Sequence, residues 1–248
     1  MADLATIGTK SDIIARLKKE ILLLNGFKKA LNNVDKVGLP LPVKNAFPEG
    51  QFPLGAIHEF LIEGSEEAAA TAGFVSGMLA SLMRNSGVTI WISACRNIFP
   101  PSLISFGIIP EKIIFIDLKK EKEILWAMEE ALKCNSVAAV VGELHELTFT
   151  ASRRLQLAVE QSRVTGFILR QTKGNINTTA CLSRWKITSS PSVLEDEMPG
   201  VGFPRWNVEL LKVRNGKPGK WELEFADGRF RNIPKIAAII HQPAKKTG

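Results

Sequence analysis

Apolar residues recur along the chain in two rhythms, one helical and one strand-like. Ile13, Leu17, Ile21 and Leu24 stand at offsets of four, four and three, with Lys18, Lys19 and Glu20 between them. That spacing is one apolar stripe of a helix, and Ser11 and Asp12 ahead of it supply an N-cap and an acidic first turn. Residues 32–48 then hold three prolines and three asparagines, which reads as a linker. From residue 56 short apolar runs alternate with helical stripes. Strands are expected over 56–62, 88–93, 113–117, 137–141 and 166–170, and helices over 66–84, 100–106, 119–132 and 149–163. Pro100 suits a first helical turn. Val137-Ala138-Ala139-Val140-Val141 has no polar member, as a sheet covered on both faces requires. After Thr178 the rhythm changes. Residues 180–188, 206–214 and 220–226 alternate like half-exposed strands, with Asn215-Gly216-Lys217-Pro218-Gly219 as a hairpin turn between the last two. The expected fold is α/β: a doubly wound, mainly parallel sheet with antiparallel strands added at its C-terminal side, preceded by an N-terminal amphipathic helix.

Composition narrows the class without changing that picture. The chain has 248 residues, 45% hydrophobic and 23% charged, enough for one large core and unlike a disordered or fibrous protein. Three cysteines, Cys95, Cys134 and Cys181, form no CxxC pair, so a reducing, cytoplasmic setting is expected. No apolar run is long enough to span a bilayer, and the first residues lack the pattern of a secretory signal. The expected organisation is an N-terminal helix and linker over 1–46, a core over 47–190, and a loop, hairpin strands and basic tail over 191–248. Net charge is +7, and residues 205–248, with ten Lys/Arg against four Asp/Glu, hold +6 of it. Two readings stand for that segment: a docking surface for DNA or an acidic protein, or the solvated face of a hairpin.

In a doubly wound sheet the first strand-to-helix turn is where a phosphate sits. Here that turn runs Ile62-Glu63-Gly64-Ser65-Glu66-Glu67-Ala68-Ala69-Ala70-Thr71. A working phosphate loop needs several glycines, a lysine for the terminal phosphates and a hydroxyl for magnesium. This one has a single glycine, no lysine and three carboxylates, so it is expected to be filled by its own acidic side chains. His58-Glu59 and His145-Glu146 do not complete an HExxH zinc pair, because Ile62 and Phe149 stand at the fifth positions. No metal and no cofactor are expected. Cys95 as a nucleophile competes with Cys95 as a small core residue, Glu143 and Glu146 as an acid–base pair with cap or ion-pair roles, and base-stacking tryptophans with packed ones.

Phe52-Pro53-Leu54-Gly55-Ala56-Ile57-His58-Glu59-Phe60 resembles the opening strand of RecA-type recombinases, which leads into their ATP loop. The similarity continues at Ile90–Cys95, at Phe106-Gly107-Ile108 with 113–115, and at 138–143 for the Walker-B strand. Carried over without gaps, the degenerate nucleotide loop is Gly64, Ser65, Glu66, Ala68 and Ala69. The Walker lysine and its threonine fall on Ala68 and Ala69, the water-orienting glutamate on Cys95, and the magnesium-associated aspartate on Gly142, with Glu143 one place beyond. The resemblance therefore implies a RecA-like fold without ATPase chemistry.

Within that superfamily the chain is similar to the ImuA group and, less closely, to the SulA group of division inhibitors. Marks of the ImuA group are Phe52 to Glu59, Leu125-Trp126-Ala127-Met128-Glu129-Glu130-Ala131-Leu132, Arg153 to Glu160, and Trp206 to Gly216. This resemblance implies a non-catalytic accessory role in SOS-induced translesion synthesis, through binding to RecA and an ImuB-type polymerase relative. The alternative is SulA-like binding of the tubulin-like division protein. Candidate partner or DNA contacts are Arg153, Arg154, Lys212, Arg214, Lys217 and Lys220; any DNA contact is expected to be weak, non-specific and salt-sensitive. The N-terminal helix is a candidate for self-association by fold analogy.

Overall fold

In the computed structural model, residues 37–85, 87–96, 98–172, 174, 176–192 and 202–234 are described. The expected helix over 13–24, most of the loop over 195–204 and the basic tail beyond 234 lie outside them. Among the described residues nine strands form one mixed sheet: β1 (Ile57–Ile62), β2 (Val88–Ser93), β3 (Ile113–Asp117), β4 (Val137–Leu144), β5 (Thr165–Gln171), β6 (Ser183–Ser190), β7 (Arg205–Val213), β8 (Gly219–Ala226) and β9 (Arg229–Ile233). Their order across the sheet is β3-β2-β4-β5-β1-β6-β7-β8-β9. All pairings from β3 to β6 are parallel, and β6 to β9 are antiparallel. The antiparallel addition is thus as expected, with two differences. β6 itself runs parallel to β1, because the 172–182 connection carries the chain back to the start of the sheet. A ninth strand also follows a turn at Asp227-Gly228, where both residues have positive φ (53° and 69°), the geometry of a tight type I′ hairpin.

Three long helices connect the parallel strands. α1 (Ser65–Leu82) lies on one face of the sheet, and α2 (Glu121–Lys133) and α3 (Phe149–Ser162) lie on the other. Residues 100–106, expected as an α-helix, wind instead as a 3₁₀ helix that Gly107 ends in the left-handed conformation. Two prolines at its start remove amide donors, and Phe106-Gly107 leaves no length for more turns.

The α1 face is aromatic. Phe60, Phe74, Phe167, Trp185, Trp206, Phe225 and Phe230 are buried there, and Trp185 stacks on Phe60 with centroids 6.0 Å apart. Trp185 and Trp206 are therefore packing residues. The stretch expected as a linker joins this core from residue 37 onward: Val37, Leu39, Val43, Ala46 and Phe47 are all buried. The Lys217 amide, in the distant β7–β8 hairpin, donates to the Ala46 carbonyl at 2.8 Å, and Gly216 leaves no room there for a Cβ. The prolines of this stretch do not detach it; its apolar residues have an aromatic surface to cover. The α2/α3 face is aliphatic, built from Ile57, Ile92, Met128, Leu132, Val140, Leu155, Val159 and Ile168. Among the described residues no helix is long and apolar enough to cross a membrane.

Candidate functional site

All six parallel strands point their carboxyl ends the same way, so the loops after β1, β2, β4 and β6 gather at one end of the sheet, where α/β folds place ligands. The loop after β1 is occupied by its own side chains. Gly64 caps α1 in an extended conformation, and Ser65 is the first helical residue. The Glu67 carboxylate reaches back and accepts the Glu63 amide at 2.7 Å, taking one of the N–H groups that an anion would otherwise use. Lys186, on β6, then bridges Glu63 (2.9 Å) and Glu67 (3.4 Å). The hydrogen bond to Glu63, with the charges of Glu67 and Glu63 behind it, holds the Lys186 ammonium above the usual lysine range. Ser189 donates to Glu66. Carboxylates at α1's first turn suit the helix dipole. Ala68 is half-buried and Ala69 exposed; neither offers a donor beyond its backbone.

The residues carried over to the other strand ends do not converge on that loop. Cys95 is exposed beyond β2. Its neighbour Arg96 pairs with Asp117 at 2.7 Å and lies over the Phe115 ring, 4.9 Å from its centroid. Gly142 and Glu143 are inside β4, which extends three residues beyond the expected end. Alternation sends them to opposite faces. Gly142 is pressed against α2: a Cβ there would lie 2.0 Å from the Met128 sulfur. Glu143 points to the α1 face, where the Trp91 indole N–H donates to it at 2.7 Å. Desolvation holds the Glu143 carboxyl above its usual range, against the opposing effect of that hydrogen bond. The carboxylate on the loop's side of the sheet is Glu143, and it is engaged with an indole.

Sequence reasoning missed a buried carboxylate that accepts three side-chain hydrogen bonds. Glu59, fully buried in β1, accepts Arg170 at 3.0 Å on one oxygen, and Arg184 at 2.7 Å with Thr179 at 2.8 Å on the other. Arg170 also donates to Asn177, and the Asn177 amide donates to the Leu147 carbonyl at 2.8 Å. One carboxylate thereby ties β1, β5 and β6 to the 176–180 segment. A carboxylate beside His58 in a strand of otherwise apolar residues, with arginines on later strands, was the available signal.

The candidate contact residues are dispersed. Arg153 is exposed, and Arg154 is paired with Glu129 across α3 and α2. Lys212 donates to the Thr179 carbonyl at 3.4 Å and Arg214 to that of Ala180 at 3.1 Å, so both brace the 176–180 segment. Lys217 sits in the hairpin turn, and Lys220 is paired with Glu209 at 2.8 Å.

No protein-family model matches the chain. It is 36% identical over 212 residues to the protein ImuA of Caulobacter vibrioides strain NA1000 / CB15N, an alignment covering 79% of this chain and 87% of that one. The chain belongs to the ImuA family. The same match is found with ImuA from the ATCC 19089 / CIP 103742 / CB 15 strain of that species. A more distant similarity, 29% over 114 residues, links this ImuA-family chain to the cell division inhibitor SulA of Photorhabdus laumondii, across 44% of the chain and 64% of SulA.

Proposed function

We propose that this ImuA-family chain is a non-catalytic accessory protein of SOS-induced, error-prone translesion synthesis, built on a RecA-like scaffold and acting by binding RecA and an ImuB-type polymerase relative. The observation that carries the pseudo-ATPase part is the loop after β1, where Glu67 and Lys186 stand in place of a phosphate and its lysine. A triphosphate would have to displace that ion pair and face Glu63, Glu66 and Glu67 at once. The 176–180 segment, pinned by Arg170, Lys212 and Arg214, supports a reading in which exposed surfaces elsewhere do the binding. Family membership carries the cellular context. Two measurements test the reading. Calorimetric titration with ATP and magnesium is expected to give no saturable heat at millimolar nucleotide. Reciprocal co-purification from DNA-damaged cells is expected to recover RecA or the polymerase relative; micromolar ATP binding with turnover, or purification free of both proteins, overturns it. The similarity to SulA keeps a division-inhibitor reading in view, and that reading requires filamentous growth on overexpression with an unchanged mutation rate.

A further inference from the structure

Among the described residues β3 is one edge of the nine-stranded sheet and pairs with β2 alone. The Leu118 amide donates to the Ser93 carbonyl, so strand alternation turns the backbone groups of Ile114 and Ile116 towards β2. Those of Ile113, Phe115 and Asp117 face outward, and no described strand receives them. Asp117, paired with Arg96, is the one charged residue inside the strand. The strand has no proline, no lysine and no bulge, and Ile114 is 48% exposed. Ile104 and Ile109, in the segment leading into β3, are also exposed, at 62% and 53%.

We propose that two copies of this chain associate through antiparallel pairing of their β3 strands, joining the two sheets across a two-fold axis. The register follows from the sequence around the edge. A two-fold perpendicular to the sheet keeps each face on its own side, so opposed residue numbers must have the same parity. Centring the axis on Phe115 sets Ile113 opposite Asp117 of the second copy and Phe115 opposite itself, and these are the residues whose backbone groups point outward. It also sets Ile114 against Ile116 on the α2/α3 face, an apolar cross-strand pair made twice. Just beyond the strand, Glu111 then meets Lys119, again twice. Both side chains are exposed, and neither has an ion-pair partner among the described residues. Centring on Ile114 instead opposes Glu111 to Asp117, and centring on Ile116 opposes Lys112 to Lys120, whereas the Phe115 register makes the attractive Glu111–Lys119 contact twice.

The pairing is independent of the function proposed above. A five-residue edge gives an interface at the small end of specific association, so dimerisation with a dissociation constant on the order of tens of micromolar is expected. Sedimentation velocity of the full chain from about 2 to 300 µM tests it, with circular dichroism as a check on folding. The wild type should move from monomer to dimer over that range. Lys119→Glu should weaken the dimer about tenfold, because two like-charge contacts replace two attractive ones. Adding Glu111→Lys to Lys119→Glu should restore it. A chain that stays monomeric at 300 µM overturns the proposal, as it would if residues 1–36 of the same copy covered β3. So does a dimer that Lys119→Glu leaves unchanged, or one that the double variant fails to restore.

Discussion

His58 has zero exposure, stacked on Phe52 with centroids 4.3 Å apart, and both ring nitrogens are committed. Nε2 donates to the Pro53 carbonyl at 2.9 Å, so Nδ1 accepts from the Ser183 hydroxyl at 2.6 Å, while Trp185 donates to that hydroxyl at 2.7 Å. The ring is therefore neutral, and burial pushes its pKa down to about 3. The unfolded chain takes up this proton near pH 6.5, so the contribution is full above that pH and drains away as pH falls towards 3, at about 1.4 kcal/mol per pH unit. Urea unfolding between pH 7 and 4 is expected to show that slope, and His58→Gln to flatten it. Glu59 contributes through its two arginine partners. Glu59→Gln leaves Arg170 and Arg184 buried without a counter-charge and is expected to lower unfolding free energy by about 3–5 kcal/mol. A triple variant, Glu59→Leu with Arg170→Met and Arg184→Leu, should recover much of that loss, because the uncompensated charges go too.

At the scale of elements, the meeting of β4 with α2 is governed by what Gly142 lacks. Met128 fills the space a side chain would take, so Gly142→Ala should cost about 1–3 kcal/mol, read from the urea midpoint, by forcing the helix or the thioether outward. An aspartate there would add a buried charge to the same clash. The apolar runs of β1, β2, β4 and β5 and the stripes of α1, α2 and α3 were legible because burial against the two helical layers leaves little else to place there. β9 was not: Arg229-Phe230-Arg231-Asn232-Ile233 has one residue in the main core, and the open edge of β8 supplies the rest of its reason to be a strand. The Asp227-Gly228 dipeptide was the readable signal. The acid-filled loop after β1 was legible as composition, since the carboxylates lie within five residues. Lys186, its cation, was not, because only the parallel placement of β6 beside β1 brings residue 186 to residue 63.

Across the whole molecule, helices cover both faces of the sheet from β2 to β1 but only one face from β6 to β9, where rows of alternating charge replace apolar cover. Lys186, Glu209 and Lys220 form one row, and Arg205, Glu224 and Arg231 another. Arg205, Lys220 and Arg231 are thus paired with acidic neighbours, while Lys212 and Arg214 bond the carbonyls of Thr179 and Ala180. The packing of 37–47 bears on where this protein can be cut. A fragment begun at residue 48 would keep every described strand and long helix, yet it would strip Phe47 from Trp185 and Phe52 and leave a greasy window beside the hairpin turn. Anyone trimming the chain for crystallisation or for display on a surface should place the scissors upstream of Val37.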